Sequence, residues 1–110
     1  MNDRLQNLKM LLDKGQETAL LYYSIGKEYF YEQEFEEAVK YLKQATQRDR
    51  QFSAAWKVLG KCLVAKGDYL KAIAAFEQGI TVAESKGDVQ AQKEMQVFLK
   101  RAQKQLPQSN

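Results

Sequence analysis

The chain has 110 residues, of which 45% are hydrophobic and 28% charged, and its net charge is +3. That suffices for one domain with one modest core and is too apolar for a disordered segment. With no histidine and a single cysteine, Cys62, it excludes an internal disulfide, His–Cys zinc sites and His-based catalytic pairs.

The first predicted helix runs from about Asp3 to Asp13, with Leu5, Leu8, Leu11 and Leu12 at helical spacing and Gln6, Asn7 and Lys9 between them. This is an amphipathic stripe, not the continuous apolar run of a signal peptide, and no stretch is long enough to span a membrane. A reducing cytoplasm is the expected location. Gly15 suits the left-handed stop of this helix, and Thr18 is placed to cap the next one.

The second helix carries Leu21, Tyr22, Ile25, Tyr29 and Phe30 on one face and ends near Gln33. The third begins near Glu34 and buries Phe35, Ala38, Val39, Leu42 and Ala45. A turn follows from Asp49 to Phe52, and Ser53 is the expected cap of the fourth helix, which holds Trp56, Leu59, Gly60 and Leu63. Gly67-Asp68 supplies a stop and a cap. The fifth helix uses Tyr69, Ala72, Ile73, Phe76, Ile80 and Val82 and continues to about Lys86, because no breaker occurs before Gly87. Asp88 then caps a final helix to about Leu106, with Ala91, Met95, Phe98, Ala102 and Leu106 as its seam. Pro107, the only proline, lies beyond it.

Within this series Tyr22, Ile25, Gly26 and Tyr29 recur at one constant offset as Trp56, Leu59, Gly60 and Leu63. Phe35, Ala38, Leu42 and Ala45 recur at the same offset as Tyr69, Ala72, Phe76 and Gly79. A fixed period of about 34 residues marks stacked helical hairpins, each too small to bury its apolar face alone. The pattern Trp/Tyr-x2-Leu/Ile-Gly-x2-Tyr, then Ala-x3-Phe/Leu, resembles the tetratricopeptide-repeat family in its small, two-repeat bacterial form. The resemblance implies an all-α helical-hairpin solenoid occupying residues 1–110 as one domain. Its parts are an N-terminal helix and turn (1–18), repeat one (19–52), repeat two (53–86), a capping helix (87–106) and a tail (107–110). The final helix is a cap and not a third repeat, because one period beyond Gly60 stands Glu94, without the signature. Gly26 and Gly60 are expected where the helices of a hairpin approach closely, with Ala38 and Ala72 facing them. Tyr22 and Trp56 are expected to fill the wedge between hairpins.

In this family the first helix of each hairpin lines the concave face. Carried over, that face holds Tyr23, Lys27, Phe30 and Tyr31 from repeat one and Ala54, Lys57, Lys61 and Val64 from repeat two. The signature demands none of these. Three ammonium groups beside aromatic rings favour a peptide bearing carboxylates. A known subclass grips a C-terminal carboxylate with a Lys/Asn, Asn, Lys/Arg clamp. The corresponding positions here are Tyr23 and Lys27, then Val58, then Asp88 and Gln92, so that clamp is not expected.

Other groups have simpler readings. Cys62 is expected to be a small buried hydrophobe, and Met10 and Met95 to be packing residues. Glu28, Glu32, Glu34, Glu36 and Glu37 straddle a turn and read as a solvated tip, so no metal and no cofactor are expected. Charge is uneven: residues 1–37 carry 4 basic and 8 acidic groups, a net of −4, and residues 38–110 carry 13 basic and 6 acidic, a net of +7. This permits head-to-tail association, and hence a homo-oligomer. Lys93, Lys100, Arg101 and Lys104 lie along one side of the final helix, but no nucleic-acid motif accompanies them. The reading is a non-enzymatic protein-interaction module or adaptor with a peptide partner. The alternative is a nucleic-acid-binding protein that uses the basic C-terminal helix.

Overall fold

The computed structural model describes residues 2–107, so Met1 and the last three residues of the expected tail lie outside it. The described residues form six helices and no strand, as the repeat pattern predicts: α1 (Asp3–Asp13), α2 (Ala19–Tyr31), α3 (Phe35–Arg48), α4 (Ser53–Ala65), α5 (Tyr69–Lys86) and α6 (Val89–Lys104). α2 pairs with α3, α4 with α5, and α3 with α4 between the hairpins. α1 rests on α2, and α6 packs on α5 and α4. The result is an elongated slab of 51 × 30 × 19 Å.

The period is visible in the turns. After α2, Gln33 is left-handed at φ 60°, and at the equivalent position after α4, Gly67 is left-handed at φ 81°. Each turn is closed by paired backbone bonds: Glu34 N–H donates to the Tyr29 carbonyl at 2.9 Å, and Asp68 N–H to the Leu63 carbonyl at 2.8 Å. This is the left-handed helix stop that satisfies the last carbonyls. Gly bears little steric cost there, whereas Gln33 carries a side chain; its N–H donates to the Phe30 carbonyl at 3.0 Å, as that of Gly67 does to Val64 at 2.9 Å.

Side-chain caps explain several helix starts. Thr18 Oγ1 accepts from Leu21 N–H at 3.1 Å, Asn2 Oδ1 from Leu5 N–H at 3.0 Å, and Asp88 Oδ1 from Ala91 N–H at 3.1 Å. Two expected caps behave otherwise. Ser53 is the first residue of α4, and Phe52 takes the boundary position without a side-chain cap. The Phe52 ring docks on Tyr23, with centroids 4.7 Å apart. Asp68 makes no capping bond; its carboxylate lies 3.7 Å from Lys66 Nζ instead.

The glycines mark close helix approaches. A Cβ on Gly26 would lie 2.6 Å from Leu42 Cγ, and one on Gly60 2.6 Å from Phe76 Cζ. Leu42 and Phe76, which occupy equivalent positions in the two repeats, are therefore the groups that fill the space. Ala38 and Ala72, expected to face the glycines, are fully buried; Ala38 offers its backbone carbonyl to the Gly26 contact at 3.3 Å. Gly79 makes a third approach, to Trp56 Cβ at 2.9 Å and to the Met95 thioether of α6. Tyr22 is buried with Ala45 and Ala55 between the two hairpins, as expected of a wedge. Trp56 is half-buried, and its Nε1 donates to the Arg50 carbonyl at 2.9 Å.

The largest fully buried side chains are Phe76, Ile25, Leu42, Met95 and Cys62. One core runs from α3 through α4 and α5 into α6, where Met95 and Ala102 are sealed. α1 contributes no buried residue. Leu12 packs against the Tyr22 cluster, and polar ties join the helix to α2: Arg4 pairs with Glu28, Asn2 Nδ2 donates to Glu32 at 3.0 Å, and Lys9 Nζ donates to Tyr29 Oη at 3.1 Å.

Candidate functional site, a groove between the first helices and the C-terminal cap

The apolar stripe of α2 must bury Leu21, Tyr22, Ile25 and Gly26 against α3. Helical geometry then turns Tyr23, Lys27 and Phe30 to the other side, four and three residues apart. In α4 the same geometry buries Val58, Leu59 and Leu63 and leaves Lys57, Lys61 and Val64 along the neighbouring strip. α6 crosses this strip, and its seam presents Phe98 and Arg101 to it.

A groove of about 590 Å³ opens here. It is lined by Phe30 and Phe35 from the first hairpin, Lys61, Val64, Ala65, Tyr69 and Phe76 from the second, and Phe98, Arg101, Ala102 and Gln105 from α6. Five of these eleven residues are aromatic. Its only charged groups, among the described residues lining it, are the cations Lys61 and Arg101.

Lys61 is the centre of this arrangement. Its Nζ lies 5.2 Å from the Phe30 ring centroid and 5.3 Å from that of Phe98, and Arg101 lies 5.9 Å from the same Phe98 ring. Each such contact is worth about 0.5–1 kcal/mol where water reaches it, so the cations are positioned without being neutralised. The Phe98 ring is fixed from behind by stacking on Phe76 at 5.8 Å. Phe30 is braced by Phe35 at 5.9 Å.

The other predicted residues are distributed around this groove. Lys27 Nζ sits 5.2 Å over Tyr23, beside the Tyr23–Phe52 contact. Burial raises the Tyr23 phenol above its ordinary pKa, and Tyr31 adds to the shift. Tyr31 is 65% exposed at the end of α2, with its ring 5.8 Å from Phe30. Lys57 is engaged differently: its Nζ forms an ion pair with Glu94 of α6 at 3.3 Å. The sequence-derived face therefore divides. Phe30, Lys61 and Val64 converge in the groove; Tyr23, Lys27 and Tyr31 flank it on α2; and Lys57 with Ala54 faces α6 across a smaller cleft.

Sequence reasoning misses Phe98 and Arg101 as site residues. It puts Phe98 in the seam and Arg101 on the solvated basic face. Their spacing to Ala102 and Gln105, three, four and seven residues from Phe98, is the signal that one helix side meets the groove. Cys62, next to Lys61, points the other way and is fully buried. Burial pushes its thiol up to about 12, against a small opposing pull from Lys61, so it is a neutral packing group. No described helix is long and apolar enough to cross a membrane.

The geometry has close parallels. The family model described as tetratricopeptide repeat matches residues 23–89. The chain is 41% identical over 97 residues to the TPR repeat-containing protein PA0015 of Pseudomonas aeruginosa, a match covering 88% of this chain and 92% of that protein. The solution structure of protein BPP2914 from Bordetella parapertussis superposes with a TM-score of 0.81 at 38% identity, covering 94% of this chain and 90% of that one. A crystal structure of MamA shares the fold, with a TM-score of 0.71 at 24% identity over 94% of this chain and 67% of that one. Repeats of this kind build protein-interaction scaffolds. By its helices, its repeat register and these relatives, the chain belongs to the tetratricopeptide-repeat family.

Proposed function

We propose that the protein is a cytoplasmic adaptor that binds a peptide segment bearing carboxylates on its concave face, with no catalytic step. Tyr23, Lys27, Phe30, Tyr31, Lys57, Lys61 and Val64 are the contact residues. The observation that carries this reading is Lys61, a cation held between Phe30 and Phe98 in an aromatic groove whose described lining contains no carboxylate. Such a site offers an apolar anchor with charge attraction beside it, the combination that concentrates binding energy at interfaces.

The two contributions separate by salt. Charge attraction fades over a Debye length of about 8–10 Å near physiological ionic strength, whereas aromatic burial persists. Lys27→Glu combined with Lys61→Glu should weaken binding of an acidic peptide mainly at low salt. Tyr31→Ala should weaken it at low and high salt alike, and Lys57→Glu should have the smallest effect because Glu94 already engages that ammonium. Titrations by fluorescence anisotropy on variants with parental circular dichroism would measure this. Unchanged affinity in the charge-reversed and Tyr31 variants would move the site off this face.

A further inference from the structure

We infer that the face opposite the aromatic groove holds a second docking site, which takes an acidic amphipathic helix of a partner protein. The site lies between the two hairpins and is bounded by Lys43 and Arg50 of α3 and Lys71 of α5. It is independent of the concave-face reading, and it would let one chain hold two partners.

Two observations carry the inference. The first is the shape of the gap. α3 and α5 each pack on α4 but not on one another, so a channel of about 440 Å³ remains over α4. Its floor is apolar, made by Trp56, Leu59 and Leu63 of α4 with Ala74 and Ala75 of α5. Leu59 lies about half a turn from Lys57 and from Lys61. The channel is therefore on the far side of α4, and it shares no lining residue with the aromatic groove.

The second observation is the contrast with the corresponding surface one period earlier. There Tyr22, Glu37, Lys40 and Tyr41 stand in the places of Trp56, Lys71, Ala74 and Ala75. Tyr41 carries a ring, stacked on Tyr29, where the second repeat has only the methyl group of Ala75. The cations of the earlier surface are paired: Lys40 with Glu37 at 3.1 Å and Arg48 with Glu17 at 3.2 Å. No carboxylate lines the later channel. Its exposed Lys43, Arg50 and Lys71 form no ion pair among the described residues. One charge reversal and two alanines thus turn a filled, paired surface into an open, cationic one.

The occupant follows from this chemistry. Lys43 and Arg50 are seven residues apart on α3, two turns or about 10.5 Å. That matches carboxylates seven residues apart on a helix laid alongside. Its apolar anchors would meet the floor, where the small Ala74 and Ala75 allow a close approach. A nucleic acid fits less well. Trp56 is half-buried, its Nε1 donates to the Arg50 carbonyl at 2.9 Å, and the Arg50 guanidinium lies 5.9 Å from its ring, so it is a poor stacking platform.

The test uses a stapled helical peptide without tryptophan, bearing leucines on one face and glutamates seven residues apart, and a counterpart with lysines in place of the glutamates. Trp56 is the only tryptophan, so its emission reports the site directly, and amide chemical shifts map the rest. The acidic helix should shift the Trp56 emission and the amides of Gln47, Lys71 and Ala74. It should bind about tenfold tighter than the lysine counterpart. Lys71→Glu and Ala74→Lys, which bring the first repeat's residues to exposed positions, should each lower its affinity about tenfold. Lys14→Glu, the same charge change outside the channel, should not. The proposal is overturned if the acidic helix does not bind, if its shifts centre on Phe30, Lys61 and Phe98, or if both channel variants bind it as tightly as the parent. It also fails if a mixed-sequence single-stranded oligonucleotide occupies these residues more tightly than the peptide. A dimer that Lys71→Glu dissociates on size-exclusion chromatography would assign the channel to a second copy instead. The concave-face reading is judged separately, by the Lys61 and Tyr31 variants.

Discussion

The two ends of the solenoid are closed by helices that look alike in sequence and differ in the fold. α1 and α6 are both amphipathic, both have a side-chain cap at the N-terminus, and both lie outside the two repeats. Yet α6 buries Met95 and Ala102 completely, with the Met95 thioether seated against Gly79, while no residue of α1 is fully buried and Met10 is 54% exposed. At the α6 end, the bare backbone of Gly79 leaves room for the Met95 thioether. At the α1 end, Leu5, Leu8 and Leu12 reach only half-burial; Leu12 packs against the Tyr22 cluster, and hydrogen bonds and the Arg4–Glu28 pair add to that contact. Such contacts are individually worth little.

The sharpest way to break this comparison is to remove each helix in turn. A chain ending at Lys86 should lose cooperative folding or aggregate, because the Phe76, Ala83 and Gly79 surface would face water. A chain lacking residues 2–14 should keep its helical circular dichroism, with a modestly lower melting temperature. Size-exclusion chromatography and thermal melts distinguish the two outcomes. A monomeric, normally melting chain without α6 would reduce that helix to an appendage.

Single side chains sharpen the same contrast. Met95→Ala opens a cavity in a fully buried site and should cost about 2–5 kcal/mol. Met10→Ala, at a half-exposed site, should fall within about 0.5 kcal/mol. Urea denaturation gives both values; similar losses would mean that α1 is packed as tightly as α6.

A smaller effect comes from Cys62, in the core that α6 helps to close. Its thiol is raised from 9.0 to about 12 in the folded chain. As pH rises past 9 the unfolded chain loses this proton first, so stability falls from there until the folded thiol ionises near 12. The slope reaches at most about 1.4 kcal/mol per pH unit. Tyr22, Tyr23 and Tyr41 are raised from 10.0 in the same direction. Cys62→Ala should therefore flatten the stability curve most clearly between pH 9 and 10, where tyrosine ionisation is still small. An unchanged slope there would mean that the thiol is solvated in the folded state.

The fold was legible because the repeat writes each constraint twice. Gly26 and Gly60 identify one another, and so do Leu42 and Phe76. What was written once was harder to read. Gln33 has no glycine signal, and only its register with Gly67 reveals the left-handed turn. Ser53 is a good capping residue by type, but Phe52 takes the boundary position, and its ring contact with Tyr23 ties the start of the second hairpin back to the first. The candidate site divides in the same way. Phe30, Lys61 and Val64 could be placed from the repeat, because first-helix positions line the inner face. Phe98 and Arg101 could not, since α6 has no counterpart to align with. The Lys57–Glu94 pair, across 37 residues, likewise depends on how α6 crosses α4. Local pattern fixes which side of a helix is buried; only packing decides what stands opposite the side left open.

Native-state hydrogen exchange measures the asymmetry of the two ends most directly, and with it whether α6 is a fixed wall of the groove. The amides of α6 around Met95 and Ala102 should exchange only through global unfolding, with the same free energy as core amides at Leu42 and Phe76. Those of α1 around Leu8 should exchange through local opening, at a much smaller free energy. Equal protection of α1 and α6, or fast exchange in α6 while the core stays closed, would contradict the account.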